Sequence, residues 1–387
     1  MKLIGNYNEL KNGNLPKKRT RNFGIDLLRL LAIIFIINHH IIYHGIPLQK
    51  INKSSKTFKI MIFFNVIFCN GVNIFGMISG YVGFYGHKYS NLLYLLITTF
   101  FYSIIVALIF KFFVSKLIIR DIYKFLFPLF ITDYWYFNCY FLMYFFLPII
   151  NKGILEINKN EMTYFIINLF IIFSLVGETR YYFDRFKSKD IVSLRNGFSY
   201  SWLIILYIYG SFFGKFNFLE KKQNKYFFFF IFCFIIVVLS LLKTFLILNK
   251  YKKYRNNDNI NIDYTSPSSV IISICFLILF SNLRIKNIYL LKCISFFSPL
   301  TFGVYLLHNH LLVRNILIYS HFSFLLKYNN FQMILVEIIS SLFILLFCSI
   351  LDYLRYIIFN ILKVRQICQL IINRIEIIAH KIISLIN

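Results

Sequence analysis

About ten apolar stretches follow one another along the 387 residues, near 26–45, 60–85, 91–114, 128–149, 163–177, 200–214, 226–248, 268–283, 300–319 and 331–354. A helix needs roughly 20 mainly apolar residues to cross the hydrocarbon core of a bilayer. Most of these stretches reach that length, and those near 163–177, 200–214 and 268–283 fall short, so the count stays open by about one either way. Only helices or closed barrels satisfy every backbone group in lipid, and long runs without strict alternation are not barrel strands. The expected fold is therefore an all-α integral membrane protein, a bundle of about ten transmembrane helices. Composition points the same way: 59% of residues are hydrophobic and 20% aromatic, more than one soluble core can hide.

Charge is as lopsided as hydrophobicity. Lys and Arg number 42 against 15 acids, a formal net charge of +27. In a soluble chain that balance points to nucleic acid. Here the basic residues sit between apolar runs, in Lys11–Arg21, Lys111–Lys124, Lys215–Lys225 and Lys250–Arg255, where they read as loops lying against anionic lipid head groups. No nucleic-acid partner is expected. The same charges also suit an anionic substrate or cofactor, and composition does not separate that use from lipid contact.

A polar leader, residues 1–22, precedes the first apolar run, which carries Asp26 and Arg29 and has no small-residue cleavage site. It is expected to be an uncleaved first span. An even number of spans puts both termini on one face, and Lys17, Lys18, Arg19 and Arg21 just before the first span mark that face as cytoplasmic. Lys-rich loops on the other face dilute the signal. The main membrane domain is expected over 23–355. The tail, 356–387, mixes Ile and Leu with Lys363, Arg365, Arg374 and Lys381, the pattern of an amphipathic helix on the membrane surface. The seven cysteines lie mostly inside apolar stretches, form no CxxC pair and read as small buried hydrophobes, so no metal site is expected.

Ionisable residues inside a spanning helix are costly, and each is a functional candidate. The first span holds Asp26, Arg29, His39, His40 and His44. Arg29 and His40 are eleven residues apart, which at 100° and 1.5 Å per residue puts them on one helix face roughly 16 Å apart. They are expected to face one cavity. Asp26 lies one turn before Arg29 and can neutralise it, His44 lies one turn past His40, and His39 is expected to point away. The alternative is that Arg29 snorkels to the head groups and that His40 bonds to a neighbouring helix. His40 suits proton transfer, because an imidazole titrates near neutrality and this one lies far from the span's polar start.

The ninth span reads Ser298-Pro-Leu-Thr-Phe-Gly-Val-Tyr-Leu-Leu-His-Asn-His310. Thr301, Tyr305 and His308 recur at spacings of four and three and form one polar stripe, for chemistry or for helix-to-helix hydrogen bonds. Phe75-Gly-Met-Ile-Ser-Gly-Tyr81 contains two glycines and Ser79, which let backbones approach closely. Trp135 with Tyr134 and Tyr136, and Trp202 with Tyr200, read as interfacial anchors.

Arg29, ten residues, then His40, set in Gly-Ile-Asp-Leu-Leu-Arg, resembles the opening of acyltransferase family 3, the bacterial membrane O-acyltransferases of surface glycans. Five later segments are similar to that family in the same order: Phe75–Tyr81, Tyr134-Trp-Tyr through Leu147-Pro-Ile-Ile-Asn151, Gly197-Phe-Ser-Tyr-Ser-Trp202 through Gly210, Tyr264-Thr-Ser-Pro267, and Thr301–His308. The resemblance covers almost the whole chain. Where some relatives carry an acid after the last histidine, this chain has Asn309, and the soluble hydrolase-like domain that larger relatives append is not expected in 387 residues.

The resemblance implies a plasma-membrane enzyme that moves an acyl group, usually acetyl from acetyl-CoA, to a hydroxyl of a cell-surface or lipid-linked glycan. Carried onto this sequence, His40 is the expected general base or acyl carrier. Arg29 is expected to stabilise oxyanion charge or to bind a CoA phosphate, with Asp26, Ser79, Tyr305 and His308 as supporting candidates. A transporter or flippase for a lipid-linked glycan, or a glycan polymerase, would also explain a basic bundle, but neither requires thioester binding.

Overall fold

The computed structural model describes residues 21–48, 51–113, 123–129, 134–176, 194–216, 225–253 and 263–386. The basic leader up to residue 20, and much of the loops expected at Lys111–Lys124, Lys215–Lys225 and Lys250–Arg255, lie outside the described residues. The described residues fold into helices and connecting turns with no strand among them.

The first helix, α1 (Phe23–His40), starts where Asn22 accepts hydrogen bonds from the Gly24 and Ile25 amides through its side chain. It continues through a π-helical turn, Ile41–Gly45. Next come α2 (Lys56–Phe68) and α3 (Gly71–Gly83), then α4 (Tyr89–Phe113). A bent pair follows, α5 (Trp135–Tyr144) and α6 (Leu147–Glu156), meeting at 64°. Pro148 sits in the first turn of α6, where a missing N–H costs no helical bond. The order then runs α7 (Lys159–Phe170), α8 (Tyr200–Lys215), α9 (Lys225–Lys253), α10 (Pro267–Ser281), α11 (Ile288–Phe297), α12 (Thr301–His308), α13 (Asn330–Ile361) and α14 (Val364–Ile386).

Among the described residues, six stretches are long and apolar enough to cross a membrane: Phe23–Gly45, Lys56–Gly83, Tyr89–Phe112, Phe227–Asn249, Ile288–His308 and Asn330–Ile361. The bent pair α5–α6 makes a seventh if it counts as one span. These overlap the seven longer apolar stretches of the sequence, six or seven where about ten spans were expected, and the one expected at 300–319 is displaced to Ile288–His308, because the helix ends at His308. The three short ones fall on α7 with the π-helical turn Ile171–Leu175 that follows it, on α8 and on α10, and none of these reaches spanning length.

α1 is the axis of the bundle, packed against α2, α3, α10, α11, α12 and α13. Its burial explains its composition, because a helix surrounded by other helices is apolar all round except where a polar group meets a partner. α13 runs antiparallel to it. Asn38 of α1 bonds Ser341 midway along α13 at 2.9 Å, and Asn330 at the start of α13 bonds Thr57 at the start of α2, just beyond the end of α1. The start of α1 and the end of α13 therefore share one face of the bundle. α9 and α13 turn Phe230, Phe234, Phe343 and Phe347 outward, as helices in contact with lipid do.

The closest helix contact joins α3 and α8. A Cβ at Gly80 would collide with the Tyr207 carbonyl, and one at Gly210 with the Met77 carbonyl, so the two glycines let the backbones touch reciprocally. Ser211 seals the contact by donating to the Gly80 carbonyl at 3.2 Å. The segments Phe75–Tyr81 and Tyr209-Gly210 thus meet each other, and their glycines serve packing.

Candidate functional site

One cavity of about 350 Å³ runs beside α1 and is bordered by both Arg29 and His40. Two parallel walls define it. α1 supplies Arg29 and His40, eleven residues apart, and the polypeptide from Ser298 through α12 lies alongside. Ser298 meets Arg29 at one end, with Arg29 Nη1 donating to Ser298 Oγ at 3.1 Å. Ten residues on, the His308 ring lies 5.2 Å from the His40 ring, centroid to centroid. Matched spacing on two helices keeps the cation end and the imidazole end in fixed register, roughly 16 Å apart along the axis.

At the cation end, Asp26 holds the arrangement. Its Oδ1 accepts from Arg29 Nη1 at 2.9 Å and from Ser298 Oγ at 3.1 Å, and its Oδ2 accepts from Arg21 Nε at 2.6 Å. Asp26 is buried and does not border the cavity, whereas Arg29 does. The carboxylate therefore fixes the guanidinium and leaves it facing the cavity. A guanidinium has five N–H donors in a planar fork, so one held at Nη1 can still bind an anion with the rest.

At the imidazole end four histidines gather. His40 has His39, His44 and His308 around it, with ring centroids 5.8, 5.6 and 5.2 Å away. His39 Nδ1 meets Asn65 Oδ1 at 2.7 Å, and its ring borders the cavity. The expectation that His39 points away from His40 is thus corrected. The π-helical turn that starts at Ile41 inserts an extra residue at this point, a feature frequent near functional sites.

The remaining lining is aromatic and hydroxylic. α5 contributes Trp135, Tyr136 and Tyr140, α3 contributes Phe75 and Ser79, and α12 contributes Thr301, Phe302 and Tyr305. Tyr264, between α9 and α10, closes one side, and burial pushes its phenol far above the usual range, so it stays a neutral hydroxyl. Among the expected site residues, Arg29, His40, Ser79 and Tyr305 border the cavity. His308 stands behind His40, and Asp26 behind Arg29.

Trp135, Tyr136, Tyr140 and Tyr264 are lining residues for which the sequence reading assigned no site role. The reading of Trp135, Tyr134 and Trp202 as interfacial anchors is overturned. Trp135 borders the cavity, Tyr134 is buried and donates to the Leu306 carbonyl at 3.0 Å, and Trp202 is 0% exposed and donates to Asn73 Oδ1 at 3.1 Å. An aromatic near a helix end satisfies both patterns, and only its neighbours tell them apart. The four-residue spacing of Tyr136 and Tyr140, which puts both on one face of α5, is the signal that was legible.

Other family-like segments serve the frame. Asn151 accepts from Tyr207 Oη at 2.7 Å and donates to the Gly83 carbonyl at 3.3 Å, tying α6 to α8 and α3. Asn73 donates to the Tyr264 carbonyl at 2.8 Å while it accepts from Trp202, so one asparagine positions a cavity wall. Lys243 supports the same wall by donating to the Asp263 carbonyl and to Ser266 and Ser269.

Compared with known families, the chain matches the acyltransferase domain of acyltransferase family 3 over residues 22–353, which includes every residue of the site. No curated protein and no solved structure gives a significant match.

Proposed function

Since the chain belongs to acyltransferase family 3, matched over most of its length, we propose that it transfers an acetyl group from acetyl-CoA to a hydroxyl of a cell-surface or lipid-linked glycan. The observation that carries this reading is a cavity bordered by a fixed guanidinium at one end and an imidazole at the other. A CoA thioester has the same polarity along its length, with anionic phosphates at one end and the reacting carbonyl at the far end of a slender arm.

In this reading Arg29 binds a phosphate of the donor, and Asp26 holds it in place. His40 removes the proton of the acceptor hydroxyl as its oxygen attacks the thioester carbonyl. The C–O bond forms, the C–S bond breaks, and the proton passes from His40 to the departing CoA sulfur. Tyr305 can supply a hydroxyl donor to charge developing on the carbonyl oxygen, while Ser79, whose hydroxyl donates to the Phe75 carbonyl at 3.0 Å, can accept from the acceptor sugar. Trp135, Tyr136 and Tyr264 offer ring faces to a sugar and keep bulk water away from the thioester.

The protein sits in the plasma membrane with both termini cytoplasmic, which brings the Arg29 end of the cavity toward the CoA pool. α14 lies on the membrane surface. Its face with Ile367, Ile371, Ile375, Ile378 and Ile382 is exposed in the fold, and Arg365, Arg374 and Lys381 suit anionic head groups.

The reading is tested by offering acetyl-labelled acetyl-CoA to the purified protein in liposomes, with lipid-linked glycans extracted from the source cells. Label moving to the glycan with release of one CoA per acetyl is the expected result. A flippase or a polymerase would release no CoA and leave the glycan unlabelled.

A further inference from the structure

His40 and His308 come from helices far apart in the chain, yet their rings lie 5.2 Å apart, inclined at 39°. Each ring carries one buried nitrogen with no hydrogen-bond partner among the described residues, Nδ1 of His40 and Nε2 of His308, so as the rings stand the two do not bond each other. Two unsatisfied nitrogens on adjacent buried rings are an anomaly, because buried polar atoms normally find partners.

The other nitrogen of His308 resolves which partner each one needs. His308 Nδ1 lies 2.6 Å from the carbonyl oxygen of Val304, one turn earlier on α12. A carbonyl oxygen only accepts, so this nitrogen carries the proton. In the neutral ring Nε2 is then a bare acceptor. Its complement is an N–H, and the facing ring offers one if the His40 proton sits on Nδ1.

We propose that a small turn of the two rings lets His308 Nε2 accept a hydrogen bond from Nδ1–H of His40, which fixes His40 as the tautomer whose Nε2 is the base. This rests on the reading of His40 as general base given above. His40 borders the cavity and its Nδ1 is buried, so Nε2 is the nitrogen a substrate in the cavity can reach. The logic is that of a catalytic histidine oriented by a carboxylate, with a neutral imidazole in the carboxylate's place. His308 takes no proton. As Nε2 of His40 gains the acceptor's proton, the Nδ1–H bond to His308 strengthens, and it relaxes when that proton leaves with CoA. His308 is a positioning residue.

The neighbouring histidines do not fill this role. His39 is engaged by Asn65 through its own Nδ1. His44 follows His40 on the same strand of helix and is half-buried, not fully enclosed.

Two substitutions separate this function from simple packing. His308→Asn keeps a polar group near the Nδ1 position, able to bond the Val304 carbonyl, but loses the acceptor at the Nε2 position. His308→Gln places an amide oxygen near the Nε2 position and gives up the bond to Val304. If His308 orients His40, the Gln variant retains most of kcat and the Asn variant loses at least about tenfold, both with the KM for acetyl-CoA nearly unchanged. A role confined to anchoring α12 predicts the reverse order.

The same question is answered without turnover by 15N-histidine NMR of the purified protein. The expected spectrum has His40 protonated at Nδ1 in the wild type and in His308→Gln, and a mixture of tautomers in His308→Asn. A His40 that carries its proton on Nε2 in the wild type, or keeps one tautomer in all three proteins, overturns the proposal. If the wild type transfers no acetyl group while the tautomer pattern holds, the pairing stands and the acyltransfer reading is what fails.

Discussion

Gly303 of α12 and Asp352 of α13 lie so close that a Cβ on residue 303 would run into the Asp352 carboxylate. The carboxylate is held there by Tyr102 of α4, whose hydroxyl donates to Oδ1 at 2.7 Å. A two-point grip from Arg355 adds Nε to Oδ1 and Nη2 to Oδ2, both at 2.9 Å. Arg355 in turn donates to Tyr94 Oη at 2.8 Å. This buried ion pair sets the depth of α12, and α12 carries Tyr305 to the cavity and His308 to His40.

Breaking that pair is therefore expected to weaken the fold and to blur the site. Removing one member of a buried ion pair leaves the other uncompensated, at a cost of about 3–5 kcal/mol. Asp352→Leu should lower the thermal unfolding midpoint in detergent well below that of Asp352→Leu with Arg355→Leu, in which no charge is stranded. Equal midpoints for the single and double variants would show that the pair carries no such strain.

Gly80→Ala and Gly210→Ala are expected to be poorly tolerated, since each methyl meets a backbone carbonyl that cannot move aside. Overpacking of this kind typically costs about 1–3 kcal/mol. Gly86→Ala meets open space and serves as the control. The check is the yield of folded, monodisperse protein for the three variants.

Glu337 presents a different opportunity. Its side chain is 1% exposed, and neither carboxyl oxygen has a partner among the described residues. An unsatisfied buried polar group costs about 1–3 kcal/mol, so Glu337→Met should raise the midpoint. A gain in stability together with a loss of acetyl transfer would mark Glu337 as retained for function, and a loss of stability would mean that it has a partner in solution.

The spanning segments were legible because lipid imposes a length and an apolar character that few other environments require. The three stretches that fell short of a bilayer's thickness in the sequence fall short in the fold too, whereas the span expected at 300–319 lies at Ile288–His308, because an apolar run does not report where its helix breaks. Arg29 and His40 were legible as well, because a charge inside an apolar run stands out and helical geometry relates two positions on one helix. Asp352-x-x-Arg355 carries the same kind of signal and could have been singled out. What joins His40 to His308, or Trp202 to Asn73, lies between helices distant in sequence, and no periodicity within one helix reports it. His39 was misjudged because the wheel places it off the Arg29–His40 face, whereas the cavity at that level is wide enough to reach both histidines.

Arg29 and His40 should separate kinetically. Arg29→Gln removes a donor contact equally in ground and transition states, so KM for acetyl-CoA should rise by about tenfold or more while kcat changes less. Arg29→Lys keeps the charge but not the fork and should fall between the two. A fall in kcat with unchanged KM would instead place Arg29 on the developing oxyanion.

The proposed function turns on proton transfer by His40. The most direct measurement is the initial rate of acetyl transfer from acetyl-CoA to the glycan in proteoliposomes, for wild type and His40→Ala at matched amounts of folded protein. A loss of at least about a hundredfold in kcat is expected, with acetyl-CoA still bound. Transfer by His40→Ala at the wild-type rate would contradict it.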